Sequence, residues 1–424
     1  MESINRDKLF IASCLALTVT SMTFAIRAGM LGPLGVEFGL DNQQIGTIAS
    51  TAFWGFPLAV IIGGMLTDII GMRNLMIVAL VSHVIGILMT ILAGGFWGLF
   101  FSTFLIGAAN GLVEAACNPL VATLYPENKT TKLNHFHIWF PGGLVIGGLV
   151  VYFFTQMGLG WQWQMATMLI PAIIYGVMFF GQKFPVTERV AKGVSTAEMY
   201  SSMFTPLFLF MVICMFCTAI TELGTNQWIA VLLENVTDNA ILLLVGVSAI
   251  MAIGRGFAGP VVHQFSTPGV LLVSAILSAV GLYWMSMASG NMIFAATAVF
   301  AFGVTYFWPT MIGFVAEYIP KSGAVGMAVM GGAGMFATAI FQPIIGSVYD
   351  AQLIEALPAA ADLAGYKAAT ANSTEAMEYA KAQVKAGPYI LRSMVVLPTF
   401  LIVAFGALYA MRGKLPKNEE AIVH

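Results

Sequence analysis

The segment Gln182–Ser202, QKFPVTERVAKGVSTAEMYSS, decides how the chain is organised. It holds Lys183, Glu188, Arg189, Lys192 and Glu198, and no other long charged stretch separates apolar runs before Asp350. On either side the composition is extreme: 59% of the 424 residues are hydrophobic, 9% are charged and mean hydropathy is +0.87. A soluble fold covers its surface with about 25% charged residues, so lipid must take the place of the missing charge.

Crossing about 30 Å of hydrocarbon takes roughly 20 apolar residues, and backbone in lipid must satisfy its own hydrogen bonds, which leaves helices. Polar and Gly/Pro punctuation before the charged segment predicts spans near 9–31, 44–67, 74–94, 97–122, 134–157 and 163–182. After it, spans fall near 204–233, 239–262, 269–289, 291–317, 323–349 and 389–411. The expected fold class is therefore an all-α integral membrane protein of 12 helices in two pseudo-symmetric six-helix halves, 1–182 and 204–424, joined by a cytoplasmic linker 183–203. The run from Leu9 to Met30 is too long for a signal-peptide core and counts as the first span. Local echoes fit two halves: Gly64-Met-Leu-Thr-Asp68 and Gly259-Pro-Val-Val-His263 end the second and eighth spans, and Gly142-Gly143 and Gly331-Gly332 lie in the fifth and eleventh.

Lys and Arg counts set the orientation. With both termini cytoplasmic, that side holds Arg6, Lys8, Arg73, Lys129, Lys132, Lys183, Arg189, Lys192, Lys321, Arg412, Lys414 and Lys417. The opposite side holds Lys367, Lys381 and Lys385, all in an external loop 350–387 expected to form an amphipathic helix. This bias suits a multi-pass protein of a bacterial inner membrane. A formal net charge of -2 excludes the basic surplus of a nucleic-acid binder. The triplets at Asn128, Asn235 and Asn372 match the glycosylation pattern at chance level.

Charge inside the apolar spans carries the functional signal, because an ionised group near the midplane costs a few kcal/mol unless it faces a cavity or a partner. Glu114, Asn118 and Asn110 recur every four residues and so share a helix face beside Gly107 and Gly111. A carboxyl there takes up a proton when its pocket closes and releases it when water enters, which couples proton movement to transport. Glu222 and Asn226, with Gln227 and Trp228, place carboxyl, amide and aromatic groups together, the usual equipment for binding a sugar. Trp54, Tyr306 and Trp308 complete such a box or pack against lipid and core, and Gln342-Pro343 interrupts the eleventh span where it lines a cavity. Arg27, next to Gly29, Gly32 and Gly35, either clamps a carboxylate, pairs with Glu114 or snorkels to the outer interface. Arg255 reads as an interfacial residue.

Other chemistry is weakly represented. Cys214-x-x-Cys217 lies in an apolar span without a second ligand pair and reads as packing, as do the 26 methionines. His135 and His137 are two apart and cannot share a helix face, so no zinc pair is expected, while His137 alone is a pocket candidate. No His-Glu-x-x-His, Gly-x-Ser-x-Gly or Walker loop occurs, so no catalytic residue, metal ligand or cofactor is assigned.

Glu114-Ala-Ala-Cys-Asn118-Pro119, followed by Leu133-Asn134, His137 and Gly142-Gly143, resembles the fucose:proton symporter family of the major facilitator superfamily over roughly residues 107–148. Gly64-Met-Leu-Thr-Asp68-Ile-Ile-Gly71-Met-Arg73 is similar to the superfamily's loop signature between the second and third helices. The resemblance implies alternating access around a central cavity and uptake of a sugar with a proton. Glu114 would then be the protonatable or sugar-binding carboxylate, His137 a substrate contact, and Asp68 with Arg73 a cytoplasmic gate; Glu222, from its own pattern, is a second candidate for proton coupling. One departure stands out: the family's first-helix acid aligns with Ala28, beside Arg27. A proton-coupled sugar transporter acting as a monomer is thus the expectation. A sodium-coupled sugar transporter and an organic-anion or sugar-acid transporter using Arg27 stay open.

Overall fold

The computed structural model describes residues 4–40, 42–233, 240–358, 363–367, 369–370 and 373–415. The Asn235 triplet, Asn372, Asp362 and Lys417 lie outside them. Among the described residues, ten helical stretches are long and apolar enough to cross a membrane, and one of them, Thr47–Ile91, bends at Gly71 into two. A shorter apolar helix, Leu243–Gly256, brings the count to the expected twelve.

In chain order these are α1 (Arg6–Phe38), α2 and α3 (42–70 and 72–91), and α4 (Phe96–Leu124). Next come α5, in two pieces (Lys129–Phe136 and Trp139–Gln156), and α6, also in two (Trp161–Thr167 and Leu169–Phe179). The second half begins with α7, which runs from Pro206–Ala219 through a π turn, Ile220–Gly224, into Thr225–Leu232. It continues with α8 (Ala240–Gly256 and 258–265), α9 (267–285) and α10 (Met292–Val304 and Phe307–Tyr318). The last two are α11 (Gly323–Ala356) and α12 (Thr374–Met394 and Val396–Ala410).

The two halves share a backbone device. Gly71 turns at φ 82° and Ser266 at φ 61°, seven residues after Gly64 and after Gly259 respectively. Left-handed backbone reverses the chain in minimal length and suits glycine; Ser266 is the only non-glycine residue to adopt it among the described residues. The expected external loop is shorter than read: α11 carries Asp350 on to Ala356, and α12 starts at Thr374 rather than near 389. That outer part of α12 buries Ala382, Gln383, Ala386 and Ile390 and exposes Lys381 and Lys385, so a helical stripe made polar residues continuous with an apolar span.

Between the halves, residues 183–203 form two short helices, Glu188–Ala191 and Thr196–Met203, the second closed by a capping box between Ser195 and Glu198. The halves meet where small residues permit close approach. A side chain at Gly64 on α2 would strike Ala328 on α11, and one at Gly332 would meet Ile61 at 2.7 Å.

Candidate functional site

Asn118 links two of the buried groups before the linker. Its Nδ2 donates to Glu114 Oε2 at 3.2 Å, and its Oδ1 lies 3.1 Å from His137 Nε2. Because the amide oxygen can only accept, that geometry assigns the ring proton to Nε2. His137 sits where α5 breaks between its two pieces, and its main-chain carbonyl accepts from Arg255 Nη1 at 2.8 Å. Glu114 is 2% exposed and Arg255 1%, so neither reaches lipid or bulk water.

Arg255 then spreads its remaining donors over the second half. Nε donates to the Thr305 carbonyl at 2.7 Å, at the break in α10, and Nη2 to Glu222 Oε1 at 3.3 Å. Glu222 lies within the π turn of α7, a feature that concentrates at functional sites because the extra residue frees backbone groups and re-aims side chains. Trp308 lies between the two acids, its indole against the Glu114 carboxylate and its main chain facing Glu222. Gly331 of α11 faces the same point, where an added Cβ would lie 3.9 Å from Glu114 Oε2. Three elements from both halves, α5, α7 and α10, therefore converge on one buried guanidinium, with α4 and α11 alongside at Glu114.

Three polar atoms around α7 and α11 are buried without a hydrogen-bond partner: Glu222 Oε2, Asn226 Oδ1 and Gln342 Nε2. The Trp228 indole N–H donates to Gln342 Oε1, which fixes ring and amide against each other. Buried unsatisfied polar atoms are rare in folded proteins because each costs about 1–3 kcal/mol, so a cluster of them marks a place for a polar ligand or water.

Of the residues singled out from sequence, Glu114, Asn118, His137, Trp308 and Glu222 come together around Arg255, Trp228 bonds Gln342, and Asn226 follows Glu222 by four residues on α7. Tyr306 donates its hydroxyl to the Gly254 carbonyl at 2.5 Å, beside Arg255 in sequence. Gln227 is exposed. Trp54 is 49% exposed and packs on Phe336 across the halves at a ring separation of 6.2 Å, apart from Trp228. Asn110 is not part of the wall beside Glu114: it donates to Thr23 Oγ1 at 2.9 Å and meets His83 Nε2 at 2.8 Å, inside the first half.

Two pairings differ from expectation. Arg27 does not pair with Glu114 and does not snorkel; it is 7% exposed and lies over the Phe24 and Phe53 rings at 5.0 and 5.6 Å. The acid that engages an arginine is Glu222, and its partner is Arg255, which sequence reading left at the interface. A Gly-Arg-Gly triplet in an apolar run, opposite in sign to Glu222 on the neighbouring span, was the available signal.

Asp68 likewise binds the linker rather than Arg73. It accepts from Arg189 Nε at 2.7 Å and from the Thr187 hydroxyl at 2.5 Å, whereas Arg73 is exposed beyond the left-handed turn at Gly71. Nearby, Lys129 contacts Glu188 at 2.5 Å and the Ala316 carbonyl at 3.3 Å. Glu317 accepts from the Thr130 and Thr267 hydroxyls at 2.6 and 2.7 Å. The face that carries the linker is thus tied shut across the halves. Burial pushes the Glu188 carboxyl up, but the ammonium groups of Lys129 and Lys192 outweigh it and hold the group below its ordinary value. Among the described residues no three metal-ligating side chains converge.

The profile of the major facilitator superfamily matches residues 9–342. The chain belongs to that superfamily. Its fold is shared by the fucose:proton symporter of E. coli, at a TM-score of 0.67 and 15% identity over 92% of this chain and 98% of that one. A probable chloroplastic anion transporter of Arabidopsis thaliana is 28% identical over 174 residues, 37% of this chain and 33% of its own length. A D-xylose transporter of Levilactobacillus brevis is 27% identical over 139 residues, 32% of this chain and 30% of its own. The chain thus spans about a third of the length of these curated relatives. The chain is a multi-pass membrane protein of the major facilitator superfamily.

Proposed function

We propose that the protein moves a polyhydroxylated small molecule of the sugar class across a bacterial inner membrane by alternating access, driven by a proton. The observation that carries this reading is the buried Glu114–Asn118–His137 chain meeting the Glu222–Arg255 pair, beside three polar atoms without partners. Hydroxyls of a ligand supply both donors and acceptors, which such a mixed set of carboxyl and amide atoms requires. The D-xylose transporter and the fucose:proton symporter among its relatives lend weight to a sugar.

The two acids take different parts. Glu222 has a guanidinium as counter-ion, so its charge is compensated in the closed site. Glu114 bonds only neutral groups, the Asn118 amide and the Trp308 indole, and feels Arg255 without pairing to it, so a proton completes its discharge when water is excluded. Glu114 is accordingly the coupling carboxyl, and Glu222 with Arg255 the fixed wall against which substrate binds. The excess of Lys and Arg puts the linker 183–203 and both termini in the cytoplasm, with the halves 1–182 and 204–424 rocking about the site. One chain supplies both walls, which fits a monomer.

Reconstituted protein tests this. An inward proton gradient should drive accumulation of a sugar-class solute from a broad panel, and Glu114→Gln should abolish gradient-driven accumulation while leaving exchange of solute across the membrane. Accumulation of no solute, or identical accumulation by Glu114→Gln, overturns the reading.

A further inference from the structure

Arg27 is left without a counter-charge by everything the site has used. Its side chain is 93% buried by the residue's 7% exposure, and no carboxylate or other polar group bonds it among the described residues. A guanidinium out of water costs several kcal/mol unless something pairs with it. The rings of Phe24 and Phe53 cover it through cation–π contact, at 5.0 and 5.6 Å from their centres. Rings engage the faces of the guanidinium, whereas its N–H groups lie in the plane and form a fork matched to two oxygens. The contacts that are present therefore leave the donor edge unused.

A second unpartnered group shares that side of α1. The Thr20 hydroxyl is buried without a bond, and residues 20, 24 and 27 recur at spacings of four and three, one face of the helix. Thr20 and Arg27 are two turns apart, about 10 Å along the axis. Side chains of a helix lean toward its N-terminus, so the guanidinium reaches back toward Thr20 and brings the gap down to the scale of one monosaccharide. Phe24 also packs on Phe140 of α5 at 6.0 Å, one turn beyond His137, so this face adjoins the Glu114–Asn118–His137 chain.

We infer that Arg27 is a carboxylate subsite, and that the substrate is a sugar acid, a hexuronate or an aldonate, with its carboxylate on the Arg27 fork and its hydroxyls toward Thr20 and the Glu114–Arg255 network. The inference rests on the sugar-class reading above and narrows it. It also completes the charge balance of the closed site. Glu222 pairs with Arg255, the substrate carboxylate pairs with Arg27, and Glu114 is discharged by the proton, so no lone charge remains in the apolar interior. A neutral sugar leaves the Arg27 charge bare when the site closes.

The test compares matched ligands on the full-length protein in detergent: D-glucuronate, D-galacturonate and the aldonates against the corresponding neutral hexoses, as sodium salts or with equal added sodium chloride. Thermal shift should report binding of at least one acid at least tenfold tighter than its neutral partner, and Arg27→Gln should weaken that acid by tenfold or more. Arg27→Lys, which keeps the charge and loses the fork, should fall between them. Equal stabilisation by acid and hexose overturns the subsite, and so does unchanged acid binding in Arg27→Gln; where that variant does not fold, the wild-type comparison alone decides. Proton-driven accumulation of a neutral hexose without its acid overturns the subsite and leaves the transporter reading standing. If neither acids nor hexoses bind or move, both readings fall.

Discussion

Arg255 on α8 donates to the main-chain carbonyl of His137 on α5 at 2.8 Å, and this bond joins the two halves of the chain at the level of its buried acids. Under the alternating access proposed above, the halves part at one face and then the other, so a bond of this kind breaks in each cycle. Its strength sets how firmly the site is held closed. A charged donor on a buried carbonyl contributes about 1.5–3 kcal/mol, enough to bias a conformational equilibrium by one to two orders of magnitude.

Arg255→Lys is the informative change. An ammonium keeps the charge beside Glu222 but cannot reach the Thr305 carbonyl, the His137 carbonyl and Glu222 at once, as the guanidinium does. We expect uptake to fall at least tenfold with the protein still folded and monodisperse. Arg255→Met should also lower thermal stability, because it leaves Glu222 as an uncompensated buried charge. Uptake assays paired with melting curves check both.

Gly64 offers a steric test of the closed linker face. A side chain there strikes Ala328 on α11, so Gly64→Val should prevent α2 and α11 from closing, while the interior of each half keeps its packing. Cysteines placed beside the Asp68–Arg189 contact should then react with a linker-side thiol reagent at least tenfold faster than in the parent. Transport should be lost with binding from the linker side retained.

The pH dependence should separate the linker from the site. Glu188 sits below its ordinary value of 4.5 because Lys129 and Lys192 outweigh burial. A depressed carboxylate contributes to the closed face fully above the value it has when released, and loses that contribution as pH falls through the depressed one. The Glu188 clasp is therefore constant from about pH 5.5 to about pH 8. Glu188→Gln should lower the amplitude of uptake without changing the shape of its pH profile in that window, whereas Glu114→Gln should flatten the profile.

Much of the fold was legible because lipid imposes it. Twenty apolar residues between polar breaks mean a helix whatever their order, and the charged segment at Gln182–Ser202 divides two sets of six. Within the site, Glu114, Asn118 and His137 were legible because spacing of four and an isolated carboxyl in an apolar run can be read along one chain. Arg255 was not, because its role depends on breaks in α5 and α10 that bring the His137 and Thr305 carbonyls to it from distant positions. The partner of Asp68 was missed for the same reason: Arg73 is near in sequence, but Arg189 is near in space. The π turn at Glu222 leaves no trace in composition, and neither does the turn of Asn110 toward His83.

Gln342 and Trp228 allow a last prediction about the wall of the second half. The indole N–H donates to the amide oxygen, while the Gln342 amide nitrogen is buried without a partner and so has a donor left for a ligand. Gln342→Leu removes that donor and also leaves the indole N–H unsatisfied, so the ring is no longer held at a fixed angle. Losing one such neutral hydrogen bond costs about 1–1.5 kcal/mol, which corresponds to roughly a tenfold change in binding. The expected result is a KM raised about tenfold with kcat changed little, since the proposed site sets this amide against substrate and leaves proton carriage to Glu114. Gln342→Glu, which keeps the acceptor for Trp228 and replaces the free donor with a carboxylate, should bind an anionic substrate more weakly still. Equal KM values for the parent and both variants would take α11 out of the substrate wall.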